Sequence, residues 1–117
     1  IMNLGKLQLS LKNYEGAVVT FTKAAKTNLN SADAFHYLGE SYLQLKQGSR
    51  AVIALNEAIR LSPIVKAELH LRLATLYDSA GYKALASAEY VEFLKKVREH
   101  PEKSKIEQYI KDHPPKS

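Results

Sequence analysis

Residues 35–63, FHYLGESYLQLKQGSRAVIALNEAIRLSP, decide the fold. Two segments with apolar residues at three- and four-residue spacing flank the break Gln47-Gly48-Ser49, which is the pattern of two amphipathic helices joined by a tight turn. The first carries Phe35, Leu38, Gly39 and Tyr42 on one side, and the second carries Ala51, Leu55 and Ala58. Small residues on facing helices let the backbones approach closely, and the large ones fill the flanks.

The rest of the chain looks like copies of this unit. Sliding by 34 residues superimposes Leu4 on Leu38, Gly5 on Gly39, Leu11 on Leu45, Ala17 on Ala51, Val18 on Val52 and Ala24 on Ala58. A slide of 35 residues places Leu38 on Leu73, Gly39 on Ala74, Tyr42 on Tyr77, Ala51 on Ala86 and Leu55 on Tyr90, which implies one inserted residue between Ser62 and Ala67. No sustained period-two alternation signals a strand. Breaks at Asn13, Asn28 to Ser31, Gln47 to Ser49, Ser62-Pro63, Gly81 and Pro101 leave seven helices. Asn30 with Asp33 resembles a capping box, and Ser62 with Pro63 has the form of a helix start. Lys12, Lys46 and Arg98 place cations near helix ends.

Residues 35–63 resemble a tetratricopeptide repeat (TPR): a large residue at Phe35, then Leu38-Gly39, Tyr42, Ala51, a large residue at Leu55, Ala58 and Pro63 at that family's spacings. The resemblance covers about residues 1–98, with Gln8 in place of an aromatic, Leu29 in place of proline and Phe93 in place of a small residue. It implies an all-α fold, a right-handed α-solenoid of three antiparallel helix pairs, and the periodic packing agrees. Repeat 1 spans about residues 1–30 and lacks its start, repeat 2 about 31–63, and repeat 3 about 64–99. A capping helix over about 102–112 exposes Lys103, Lys105, Glu107, Gln108 and Lys111 and turns Ile106, Tyr109 and Ile110 inward, with Phe93 filling the space beneath it. The expected single domain is 1–113, with a tail at 114–117. The pattern is helical from Ile1 with no cap ahead of it, which reads as a piece of a longer protein.

Composition excludes several functions. The chain has no cysteine, so thiolate metal sites and a cysteine nucleophile are absent. No apolar run reaches membrane-spanning length. His36, His70, His100 and His113 lack metal-ligand spacing, no glycine-rich phosphate loop occurs, and no serine has a nucleophile-elbow setting. We therefore expect no catalytic residue, metal or cofactor, and His70 to be partly buried at a packing position. The net charge of +5 raises the possibility of an RNA-binding helical repeat, but the cations are interleaved with acids as on solvated helix faces, so no nucleic acid is expected. Of the seven tyrosines, Tyr42, Tyr77, Tyr90 and Tyr109 take packing positions, Tyr14 and Tyr82 stand at helix starts, and Tyr37 is the least constrained.

What remains is the concave groove that the resemblance implies, lined by the first helix of each pair. Helical phase assigns to it Met2, Lys6, Leu9 and Ser10, then Asp33, His36, Glu40, Leu43 and Gln44, then Leu71, Thr75, Asp78 and Ser79. Family members that grip a chaperone's C-terminal carboxylate use a basic and amide clamp. Its slots here hold Met2, Lys6, Glu40, Leu71 and Thr75. Only Lys6 is basic and Glu40 would repel a carboxylate, so that ligand class is not expected. A peptide or helix of another protein, with apolar anchors and cations near Glu40 and Asp78, fits better. The expected function is a non-catalytic protein-interaction scaffold. The alternative is a structural segment that self-associates through its uncapped first repeat.

Overall fold

A computed structural model describes residues 1–115; Lys116 and Ser117, the end of the expected tail, lie outside the described residues. Seven α-helices are present among the described residues: α1 (Met2–Ser10), α2 (Tyr14–Thr27), α3 (Ala32–Gln44), α4 (Gly48–Leu61), α5 (Leu69–Ser79), α6 (Lys83–Lys96) and α7 (Lys103–Asp112). They fall into two compact units, one of Ile1–Lys66 and one from Ala67 onward. In the first, α1 packs on α2, α2 on α3 and α3 on α4; in the second, α5 packs on α6 and α6 on α7.

Within each pair the close approach follows from the small residues. Ala17, Ala51 and Ala86 are fully buried. A β-carbon on Gly5 would come within 2.5 Å of the Phe21 ring, and one on Gly39 within 2.6 Å of the Leu55 side chain. The glycines thus accommodate the large residue of the partner helix, whereas sequence alone paired them with the alanines. Ala17, Phe21, Leu38 and Ala54 form the centre of the first unit, with Met2, Leu9, Tyr37 and Tyr42 packed around them.

The turns inside the pairs share one geometry. Lys12 and Lys46 adopt left-handed backbone (φ 62° and 59°), as does Gly81 (φ 87°). Behind each, the next amide bonds back across the turn: Asn13 N–H to the Gln8 carbonyl, Gln47 to Tyr42 and Tyr82 to Tyr77, at 2.8–2.9 Å. This is a Schellman close, repeated three times at the repeat spacing. Lys12 and Lys46 were expected only as charges at helix ends; they are the left-handed caps themselves.

Two expected helix starts differ. The cap of α3 is Ser31, whose hydroxyl accepts from the Ala34 amide at 3.1 Å. Asn30 belongs instead to a turn in which its own amide donates to the Asn28 side chain at 3.0 Å. Ser62 and Pro63 do not open the third pair. Ser62 ends α4, its carbonyl accepts from the Lys66 amide at 2.9 Å, and residues 63–68 form turns before α5 begins at Leu69. The inserted residue falls within this turn, and no side-chain cap marks the start of α5.

In the second unit, Phe93 is fully buried and meets His100 edge-on, with centroids 5.2 Å apart. α7 packs on α6, burying Ile106 and setting Tyr109 against Tyr90 at 5.1 Å. His113 ends the helix, and its ring lies 4.6 Å from that of Tyr109. Tyr82, expected to pack at a helix start, is exposed.

Candidate functional site

In the first unit the surface assigned to the groove is organised by an aromatic stack. Tyr37 stacks on Phe21 (centroids 5.4 Å apart) and His36 stacks on Tyr37 (5.2 Å, 7° between planes). Lys6 reaches from α1 to place Nζ 5.1 Å from the centre of the Tyr37 ring, a cation–π contact. Tyr37 is therefore tied to three neighbours, not loosely held as its sequence position suggested.

Charged groups continue from the stack. Lys66 donates to Asp33 at 2.5 Å and to Nδ1 of His36 at 3.2 Å. An ammonium has only protons to offer, so Nδ1 accepts and the proton of a neutral ring is on Nε2, which lies 3.9 Å from Glu40. The hydrogen bond from Lys66, reinforced by the charges of Lys66 and Lys6 and opposed by burial, holds the Asp33 carboxyl below its ordinary range. Lys66 is only 13% exposed although it belongs to no helix. Its role went unread in the sequence because its partners lie thirty or more residues away.

The expected groove residues divide by exposure. Lys6 and Gln44 are exposed and His36, Glu40 and Leu43 are half-buried. Met2 and Leu9 are half-buried and pack against the core, which limits what they present to a partner.

In the second unit Leu71 and Thr75 border a cavity of about 280 Å³ together with Tyr90, His100, Ile106 and Tyr109. The Thr75 hydroxyl donates to its own helix, to the Leu71 carbonyl at 2.9 Å. Asp78 accepts from Lys83 and from the Tyr109 hydroxyl, each at 2.6 Å. The Lys83 bond, then the Tyr109 bond, lowers the Asp78 pKa; burial and the bond to Asp78 raise that of Tyr109. The cation and hydroxyl at Asp78 come from this unit itself, so its carboxylate serves to hold α7.

His70 is buried as its packing position implied. Its Nδ1–H donates to Glu89 at 2.7 Å and its Nε2 accepts from Lys96 at 2.8 Å. These partners were not foreseen, although Glu89 and Lys96 lie one repeat from Ala54 and Leu61. Among the described residues no group of three or more His, Cys, Asp or Glu side chains could hold a metal ion, and no helix is long and apolar enough to cross a membrane.

The sequence pattern of the tetratricopeptide repeat family matches residues 1–31 and 32–64, more than half of the chain. Among solved structures, MamA superimposes with a TM-score of 0.77 at 25% identity, covering 92% of this chain and 61% of the other. The Arabidopsis OM64 TPR domain gives 0.77 at 19% identity, covering 92% and 88%. The anaphase-promoting-complex structure Cut9-Hcn1 gives 0.77 at 23%, covering 92% and 22%. This chain thus spans about three fifths of the MamA chain and a much smaller part of the last. No curated protein sequence matches significantly. The fold is an all-α helical-repeat solenoid of a kind that generally serves as a non-catalytic scaffold for binding other proteins. With its repeated Leu-Gly and Ala positions at close helix contacts and its recurrent turn geometry, the chain belongs to the tetratricopeptide repeat family.

Proposed function

We propose that this chain is a non-catalytic scaffold that holds a peptide or helical segment of a partner protein on the α1–α3 face of its first unit. The observation that carries this is the Lys6–Tyr37–His36 stack with Asp33, Lys66 and Glu40 around it. It presents a rigid aromatic surface and charges of both signs, as specific peptide recognition requires. A terminal carboxylate is disfavoured, because Lys6 is the one basic residue among Met2, Lys6, Glu40, Leu71 and Thr75. The test is a pull-down with wild type and with Lys6→Glu, Glu40→Lys and His36→Ala. Partners should be lost or exchanged in at least one variant, and an unchanged set in all three would exclude this face.

A second reading is self-association. α1 leaves Leu4, Leu7 and Leu11 along one side at 52%, 55% and 71% exposure, with Ile1 beside them. The matching positions of α3, Leu38 and Ser41, are buried where α3 packs on α2. Light scattering over a concentration series decides it: mass should rise with concentration and revert to that of a monomer on Leu7→Glu.

A further inference from the structure

The second helix pair opens a groove on the side of α3 away from His36, Glu40 and Leu43. It has a volume of about 410 Å³, floored by Phe35, Leu38, Tyr42 and Ala54 and edged by Arg50, Ile53 and Glu57. Its origin lies at one position of the repeat. Shifted by 34 residues, Ala54 becomes Thr20, whose hydroxyl donates to the Gln8 side chain at 2.6 Å. Shifted by 35, it becomes Glu89, which accepts from His70 at 2.7 Å. In the first and third pairs, then, a polar side chain crosses from the second helix to the first and closes the crevice. Ala54 has no such reach, and the residues facing it, Phe35 and Tyr42, are the counterparts of His70 and Gln8. The crevice therefore stays open, and its floor is apolar.

The rim carries positive charge. Arg50 is exposed and, among the described residues, pairs with no carboxylate. The single acid at the edge, Glu57, is bonded to the guanidinium of Arg60, so its charge is met within the protein. Ile53 stands 71% exposed beside the opening. A volume of this size lies in the range of pockets that enclose ligand groups.

We propose that this groove is a second docking site, separate from the α1–α3 face, for a short segment of another protein. Large apolar side chains of that segment enter between Phe35, Tyr42 and Ile53, and an adjacent aspartate or glutamate pairs with Arg50. The acid supplies orientation and selectivity, while the buried apolar groups supply most of the affinity.

Selection from a random peptide display library, with the whole chain as bait, tests this. Enriched peptides should combine a large apolar residue with a neighbouring acid. Their binding should weaken about tenfold or more in Arg50→Glu and in Ile53→Asp, and stay unchanged in Lys6→Glu. Both groove substitutions are at exposed positions, and far-UV circular dichroism checks that the helices persist. A selected pool that contains no peptide of this pattern, no enrichment, or binding of such peptides that responds to Lys6→Glu and not to Arg50→Glu and Ile53→Asp would overturn the proposal. A response to Lys6→Glu alone would leave the α1–α3 reading intact.

Discussion

Tyr109 on α7 donates its hydroxyl to Asp78 on α5 across 2.6 Å, and the same carboxylate oxygen accepts from Lys83. The contact fastens the last helix to the first helix of the third pair, and it depends on pH at both ends. Asp78 has a lowered pKa in the fold, so its contribution is fully present above the unfolded value of about 3.9 and is lost as pH falls through the folded one. Tyr109 has a raised pKa, so its contribution is present below about 10 and is lost as pH rises through the folded value. Unfolding midpoints measured against pH should fall at both extremes, and Tyr109→Phe should flatten both limbs. The same profile in both proteins would show that the contact is not coupled to stability.

Lys66 ties the end of the inter-repeat turn to α3. Replacing it with methionine keeps the aliphatic stem and removes the charge. Because Asp33 is largely solvent-exposed, the loss should be modest, about 0.5–1 kcal/mol. The sharper readout is the Asp33 carboxyl itself, which should titrate closer to its ordinary range in Lys66→Met when followed by NMR. An unmoved titration would mean that Lys66 is not what depresses it.

Two of the three left-handed caps carry lysine, and only Gly81 is free of the steric cost at β-carbon. Lys12→Gly and Lys46→Gly should each stabilise the chain by about 0.5–1 kcal/mol. Gly81→Ala should cost about 1 kcal/mol from the backbone alone, since an added β-carbon there meets nothing within 4 Å. Urea unfolding of the three variants tests the signs, and a destabilised Lys46→Gly would point to a role for that side chain beyond its backbone.

The Glu89–His70–Lys96 series replaces the apolar trio Phe35, Ala54 and Leu61 of the preceding repeat. Removing its centre with His70→Ala strands two charged partners and should cost about 2–3 kcal/mol. Installing the apolar set together, as His70→Phe with Glu89→Ala and Lys96→Leu, should cost less than His70→Ala alone, because it removes the desolvation cost of the stranded charges even though the alanine leaves the crevice open as Ala54 does. A triple variant that loses as much as His70→Ala would show that the hydrogen-bonded series itself, and not the filling of that space, supplies the stability.

The repeat, the seven helices and the buried alanines were legible because each is written locally. An amphipathic helix declares itself within a dozen residues, and a small residue at every close contact recurs at the repeat spacing. The candidate surface was legible only as a helix face. Lys6, His36 and Glu40 followed from helical phase, but the stack that orders Lys6 and His36 passes through Tyr37, whose contacts with α1 and α2 no local pattern announces. The Ser62-Pro63 start failed for a related reason. Those residues suit a helix opening, yet the inserted residue is taken up as a turn, and α5 begins where its packing on α6 can begin.

By itself, the sequence determined the family, the helix pairs and the residue types each face presents, since backbone propensity and apolar periodicity act over short distances. Tertiary structure decided which side chains meet. Lys66 with Asp33, 33 residues apart, and Tyr109 with Asp78, 31 apart, are contacts that exist only once helices are docked. It also decided that Ala54 leaves a groove open while Thr20 and Glu89 close theirs. A missing side chain has no signature in sequence until the space it fails to fill is enclosed by its neighbours.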